Sequence, residues 1–538
     1  MVVGDVIDGN ARRCPDRVAW TFQGTPWTWS TANERVNRLA DSLLSFGLAH
    51  EDRVAFLSHN SHRLAEVYFA LAKAGLIAVP INAKSVSREI AFILQDVEAR
   101  ALLVSKEFVP RLGPIESDLK RLRCVIGLDE GHGLPVDYED LLSSASPSPP
   151  SSAVHEDSIR AIKYTSGTTG FPKGSISTHK QFLFNITNYL LHLPFTPEDR
   201  CLLALPMPAG VGAQLLAAYA YRACQTFILE KFDPAQVLDA IERERITRIY
   251  LVPTMIAALV NEMISRPRDL SSVRLMGYGG SPAPMALIRK AMEVLGCPFY
   301  QSFGASETGG FICYFTPEDH QHKLGSGCEP ADFRGKQVTP CGREAQGFHI
   351  RIVNSEGNPL RAGEVGEMVV RGDSLMSGYW RRPQETREVL RDGWLFTGDM
   401  AKIDAEGYIH IVDRKRDMII SGGLNVYSAE VESVIQEHPA VSEVAVVGVP
   451  DPYWGEAVRA FVVRKKGETC SAEELLRFCA DNLASYKRPQ SIVFLEALPK
   501  TSSGKVLKVQ LRSENWGEKL SPDAPHDLSL NPPAGGSL

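Results

Sequence analysis

The sequence has little cysteine, no excess of positive charge and no long uninterrupted apolar run, and each lack removes a class of function. Its 10 cysteines in 538 residues form no Cys-x-x-Cys pair. None stands beside a histidine at zinc-ligand spacing, so a zinc site is not expected and most of these thiols should be buried. A formal net charge of -6, with Lys and Arg scattered along the chain, offers no general attraction to a phosphodiester backbone. A nucleic-acid partner is therefore not expected. The most apolar long stretch, AEVYFALAKAGLIAVPI, carries Glu66 and Lys73 and is too short to cross a bilayer comfortably. The first residues, MVVGDVIDGNARR, place an aspartate where a secretory signal needs its apolar core. A cytoplasmic protein with no membrane span is the expectation.

What is present is the composition of a soluble globular protein, 44% hydrophobic and 23% charged. Its length calls for at least two domains. From residue 52 to 280, short Val/Ile/Leu runs (RVAFLSHN, LIAVPIN, ALLVS, CVIGLD, then RCLLALP, CQTFILE, TRIYLVP, VRLMGYGG) alternate with segments of helical period. That grammar predicts an α/β fold with a mostly parallel sheet covered on both faces. The Ser/Pro-rich SSASPSPPSS, 143–152, reads as a solvated linker or surface loop. From about 345 the strands FHIRIV, EVGEMVVRG and GYIHIVDR alternate polar and apolar residues between Gly-containing turns, which predicts antiparallel sheet or a small barrel-like region. After this comes a small α+β unit, giving expected domains at 1–413 and 414–518. Residues 519–538 lack any apolar period and are expected to be disordered.

The stretch Tyr164–Gly174, YTSGTTGFPKG, gathers hydroxyls (Thr165, Ser166, Thr168, Thr169), glycines (Gly167, Gly170, Gly174) and Lys173. Hydroxyl donors, backbone N–H groups unshielded by Cβ and a mobile cation suit a polyphosphate. Pro172 stands where a Walker A motif needs glycine, so that motif is excluded. A plain polar loop remains the alternative. The position of the stretch, between the apolar SIRAIKY and the helix-like STHKQFLFNITNYLL, favours a phosphate loop at a helix N-terminus.

The stretch also resembles the signature of the adenylate-forming enzymes, the family of acyl-CoA and 4-coumarate-CoA ligases, luciferases and peptide-synthetase adenylation domains. Four further segments match that family in order: QSFGASET (301–308), WLFTGD (394–399), DRKRDMIISGGLNVYSAEVE (413–432) and PKTSSGK (499–505). The resemblance covers nearly the whole chain except the tail. It implies a large N-terminal domain, a small mobile C-terminal domain, and attack of a carboxylate on the α-phosphorus of ATP. A thiol then displaces AMP. The small-molecule acid, ATP, Mg²⁺ and CoA are the implied substrates and cofactors.

By that resemblance Glu307 binds Mg²⁺, Ser306 donates to the α-phosphate, and Phe303 and Gly304 flank adenine. Gly280, Ser281 and Pro282 form the adenine-side wall. Asp399 holds the ribose hydroxyls and Arg414 the ribose or phosphate. Lys505, carried on the C-terminal domain, bridges carboxylate and phosphate; Arg416 is the hinge, and Gly422 and Gly423 leave a path for pantetheine. Bland alternatives exist for several of these, since Gly-Asp is everyday turn chemistry and exposed lysines are usually only solvated.

The sequence departs from the family in Pro206-Met207-Pro208-Ala209-Gly210-Val211-Gly212, where Ala209 replaces a common histidine or aromatic residue. Small groups at Ala209, Gly210 and Gly212 leave room for a bulky acyl or aryl group, with Tyr278, Phe303 and Phe311 as expected walls and Gly279 also in the acid pocket. Transfer to a carrier-protein phosphopantetheine or another nucleophile, or nucleotide binding without chemistry, are the alternative functions.

Overall fold

The computed structural model describes residues 1–150, 153–165, 172–324, 339–421, 424–451, 454–500 and 506–513. The chain divides into two compact units, Met1–Arg416 and Asp417–Leu538. The division falls three residues beyond the expected 413/414 boundary. The reason is local: Arg414 is the strand partner of Asp399, and Lys415 reaches Glu367 at 2.7 Å, so both belong to the first unit.

The first unit holds two large sheets rather than one. In the eight-stranded sheet, Arg53–Leu57 lies between Ile77–Pro80 and Ala101–Val104, all parallel. Ile159–Thr165 adds in parallel beyond Ile77–Pro80, and Lys173–Thr178 then pairs with it antiparallel. The nine-stranded sheet runs in parallel through Gln225–Ile228, Arg200–Leu203, Arg248–Leu251, Leu275–Gly279 and Phe299–Ala305, and is continued antiparallel by Gly310–Phe315. Strands such as Ala101–Val104 and Ile77–Pro80 are buried at every residue, which is why they read as unbroken apolar runs.

The apolar stretch that is too short for a bilayer is divided between the strand Ile77–Pro80 and the helix His62–Ala74, which is buried along almost its whole length. Ser61 Oγ caps it by accepting from Leu64 N at 3.1 Å, and Gly75, with φ +71°, ends it. Its two charges are matched inside the fold. Arg35 Nε approaches Glu66 Oε1 at 2.8 Å and Tyr138 donates to Glu66 Oε2 at 2.6 Å, while Lys73 Nζ reaches Asp8 at 2.6 Å. Buried charges persist where such partners exist.

The Ser/Pro-rich segment connects the helix Tyr138–Ser144 to Ile159–Thr165 of the same sheet, so it is a surface loop and not a link between domains. Asn37 Nδ2 holds the Pro147 carbonyl at 2.8 Å and Arg38 holds that of Ala145 at 2.6 Å. A third sheet, curled and antiparallel, contains Phe348–Val353, Gly366–Gly372, Trp394–Ile403 and Ile409–Arg414, matching the barrel-like region expected there.

In the second unit, Val441–Asp451 and Gly455–Arg464 form a long antiparallel pair beside helices Ser428–Gln436 and Ala472–Asn482. Lys487 and Glu430, both buried, pair at 2.7 Å. The expected tail, 519–538, lies outside the described residues. No helix among the described residues is long and apolar enough to cross a membrane. Of the described cysteines, all carry free thiols and only Cys14 is not fully buried.

Candidate active site

The described ends of Tyr164–Gly174 lie on paired antiparallel strands. Thr165 faces Lys173 and Tyr164 faces Gly174 across the antiparallel strands Ile159–Thr165 and Lys173–Thr178. This corrects the expected strand-to-helix placement. A whole strand precedes the helix His179–His192, whose N-terminus is capped by Thr178 accepting from Gln181 N. The helix therefore does not directly follow the loop, as the expected phosphate-loop placement required. Ser166, Gly167, Thr168 and Thr169 lie outside the described residues.

The short strand Gly378–Tyr379 adds to the outer edge of Lys173–Thr178, with Tyr379 opposite Ser175. Two hydroxyls then meet on one carboxylate: Thr165 Oγ1 and Tyr379 OH each donate to Glu307 Oε1 at 3.2 Å. Lys173 Nζ stands 5.5 Å from the centre of the same Tyr379 ring. Met376 N donates to the Glu307 carbonyl at 2.9 Å and Ser175 Oγ to that of Ser306 at 3.3 Å, fixing this turn from below. Burial, reinforced by the Glu307 carboxylate, raises the Tyr379 phenol well above its usual value, so it remains a donor at neutral pH. Glu307 makes no ion pair among the described residues and its Oε2 accepts from none of them. That leaves an oxygen for a hard cation of the Mg²⁺ type, which takes few protein carboxylates when phosphates supply other ligands.

Strand Phe299–Ala305 delivers Phe303 and Gly304 beside this turn. A Cβ on Gly304 would lie 1.9 Å from the Gly310 carbonyl oxygen, so only glycine permits the approach. Thr308 stitches the same turn, accepting from Ala305 N at 2.8 Å and donating to the Gly310 carbonyl at 2.7 Å. The next strand, Leu275–Gly279, ends in an exposed turn of Gly280, Ser281 and Pro282. Gly279 is required by crowding, since its Cβ would fall 2.2 Å from Tyr250 Oη and 2.3 Å from the Ser302 carbonyl oxygen.

Not every expected wall of the acid pocket is brought together. Tyr278 points to the opposite face of its strand from Gly277 and Gly279, into a separate core, where its hydroxyl meets His320 Nε2 at 2.9 Å. The period-2 alternation of a strand forces this, so Tyr278 is removed from the pocket. Phe311 lies in the other core, stacked 5.6 Å from Tyr250. Gly210, with φ +82° and open space where a Cβ would be, precedes the helix Val211–Tyr221. It borders a small cleft lined by Tyr68, Arg160, Lys163, Phe182 and Ala213 among others. The side chain of Ala209 lies outside the described residues.

Asp399 is 3% exposed and sits opposite Arg414 on paired strands, with Arg414 Nε 2.9 Å from its Oδ1. Gly398, φ +70°, supplies the turn that precedes it, and Asp399 N donates to Thr397 Oγ1 at 3.1 Å. Arg416 is exposed and is the last residue of the first unit. Gly422, Gly423 and Lys505 lie outside the described residues. Sequence reading missed Tyr379, Ser175, Thr308, Arg160 and Lys163. Of these, only the two cations carried a signal, being charges inside an otherwise apolar strand.

A family model described as "AMP-binding enzyme" matches residues 7–380, and one described as "AMP-binding enzyme C-terminal domain" matches residues 430–505. The chain is 37% identical over 503 residues to a feruloyl-CoA synthase from an Amycolatopsis species, covering 93% of this chain and 96% of that protein. It is 33% identical over 517 residues to a fatty acid–acyl-carrier-protein ligase of Streptomyces coeruleorubidus, covering 95% of each. Among solved structures, o-succinylbenzoate CoA synthetase of Bacillus subtilis in complex with the acyl-adenylate intermediate OSB-AMP superposes with a TM-score of 0.83. That match has 30% identity and covers 95% of this chain and 98% of that one.

Proposed function

Because the chain belongs to the AMP-binding enzyme family, we propose that it is an ATP- and Mg²⁺-dependent acid–CoA ligase acting in the cytoplasm. A carboxylate and ATP give an acyl-adenylate and pyrophosphate, and CoA then forms the thioester and releases AMP. The observation that carries this reading is the meeting at Glu307. Thr165, 142 positions away in sequence, donates to the same carboxylate oxygen as Tyr379, with Lys173 over the Tyr379 ring. Segments far apart in the chain thus converge on one acidic group flanked by cationic and hydroxyl partners.

The chemical problem is to bring one anion to another. Glu307 holds the metal ion, which masks phosphate charge as the α-phosphorus is attacked. Lys173, Thr165 and the hydroxyl residues Ser166, Thr168 and Thr169, with Gly167, hold the phosphates. Ser306 donates to the α-phosphate. Phe303 offers a ring face to adenine, Gly304 admits it closely, and Gly280, Ser281 and Pro282 wall the other side. Asp399 accepts from the ribose hydroxyls, oriented by Arg414. Lys505 donates to the carboxylate and the α-phosphate as charge builds between them. Arg416 is the hinge, Gly422 and Gly423 line the thiol path, and the acid lies against Ala209, Gly210, Gly279 and Phe311.

The test is acid-dependent ATP–pyrophosphate exchange across an acid panel, followed by AMP release with CoA present and then omitted. Exchange with at least one acid, and AMP release that requires CoA, are expected. Absence of exchange with every acid refutes the reading. A second reading, transfer to a carrier-protein phosphopantetheine or another nucleophile, draws on the similarity to an acyl-carrier-protein ligase. AMP release indifferent to CoA but stimulated by a phosphopantetheinylated carrier protein favours it.

A further inference from the structure

Strand Ile159–Thr165 carries two cations, Arg160 and Lys163, at a separation that would normally send them to opposite faces. The register shifts between Ile159 and Ala161, and this irregularity turns Arg160 to the side of Ala161 and Lys163. Both then line the cleft at Gly210, with Tyr68, Pro80, Phe182 and Ala213. No Asp or Glu among the described residues lines it. Arg160 is 6% exposed and its Nε has no hydrogen-bond partner among the described residues. Its guanidinium carbon rests 3.7 Å from the centre of the Phe182 ring, which offsets only part of the lost hydration. The Tyr68 hydroxyl donates to the Met207 carbonyl at 3.0 Å and is no counter-ion. Neither Arg160 nor Lys163 forms an ion pair among the described residues. Burial, with Arg160 acting in the same direction and Glu307 opposing, lowers Lys163 to about 8.

A buried guanidinium beside a half-buried ammonium, with no acceptor among the described residues, is unfavourable unless a ligand supplies one. We propose that Arg160 and Lys163 form a subsite for a second carboxylate on the acid, so that the preferred substrates are dicarboxylates activated at the carboxylate nearer Glu307. The inference rests on the ligase reading above. Phe182, Ala213 and Gly210 give this small cleft apolar walls beside the two cations.

The test compares matched pairs of acids, each monocarboxylate with the α,ω-dicarboxylate of equal carbon number, in ATP–pyrophosphate exchange without CoA. Wild-type kcat/KM should favour the dicarboxylate by roughly 10- to 100-fold, the worth of one or two charge-assisted hydrogen bonds. In Lys163→Met the ratio should fall toward one, and Lys163→Arg should restore much of it. Met replaces the ammonium by an apolar group of similar length, so the fold should be retained. A wild-type ratio near one, a ratio untouched by Lys163→Met, or an equal loss with every acid overturns the proposal. The last outcome would place the cation on the reacting carboxylate or on ATP phosphate. If no acid supports exchange, the ligase reading fails and calorimetry with the dicarboxylates alone decides the subsite. Binding weakened at least tenfold by Lys163→Met supports it, and binding absent or unchanged overturns it.

Discussion

Replacing Glu307 by Gln separates the structural from the chemical share of this carboxylate. The amide keeps the shape and can still accept from Thr165 and Tyr379, whose two hydrogen bonds fall on one oxygen at 3.2 Å each. A hydrogen bond to a charged group contributes about 1.5–3 kcal/mol and a neutral one about 0.5–1.5 kcal/mol. Two bonds so weakened lose about 2 kcal/mol together, less what solvent screens at this half-buried position. In a protein of this size that is a small shift of the unfolding midpoint, roughly 2–4 °C per kcal/mol at most. The chemical loss is larger. Removing one charge-stabilising group from a transition state costs ~10²–10³ in rate. Pyrophosphate exchange should therefore fall by about that factor, with half-saturation moved to higher Mg²⁺, while the melting curve stays near wild type. Exchange within about threefold of wild type at every Mg²⁺ concentration would refute the metal role. A melting midpoint lowered by tens of degrees would mean that Glu307 is chiefly a structural acceptor.

Gly304→Ala places a methyl group 1.9 Å from a backbone oxygen that cannot swing aside, so it should lower denaturant stability by several kcal/mol and abolish exchange. Gly280→Ala, strained only by its φ of +82°, should lose about 1–2 kcal/mol in the same titration. His62 and His179 are held at about 3, first by burial and then by nearby cations, against 6.5 unfolded. Their contribution to stability is complete above pH 6.5 and is lost as pH falls toward 3, a slope that denaturant midpoints should record and His179→Gln should flatten. Lys505→Ala should lose most acid-dependent exchange, about 10²–10³-fold, while capture of preformed adenylate by the thiol survives; unchanged exchange would remove Lys505 from the chemistry.

The layered α/β fold was legible because buried parallel strands leave unbroken apolar runs, and the curled sheet because its strands alternate. Phe348–Val353 reads buried, exposed, buried, exposed along its first four residues. Tyr164–Gly174 was misplaced because KGSIST, polar in composition, does not look like a strand. It becomes one by pairing on both edges, with Ile159–Thr165 on one side and Gly378–Tyr379 on the other. Tertiary pairing overrode a weak local preference, as strand propensity allows. Tyr278 failed as a pocket wall for the opposite reason. Its neighbour Gly279, expected as a wall beside it, is a close-approach position, and adjacent strand residues face opposite ways, so the two do not line one pocket.

Tyr379 had no local signal at all, because its place at Glu307 depends on a two-residue strand joining the edge of a strand more than 200 positions earlier. Arg160 and Lys163 differ, since a charge within the apolar IRAIKY could have been questioned from sequence alone. What sequence could not supply was the irregularity between Ile159 and Ala161, without which Arg160 would face away from Lys163. In that arrangement Arg160 could not share a ligand with Lys163. The backbone shift thus turns two unrelated charges into a pair with no acceptor among the described residues, and the same shift makes Arg160→Met and Lys163→Met expected to be non-additive in acid selectivity. If the two losses multiply independently, the cations do not share one carboxylate.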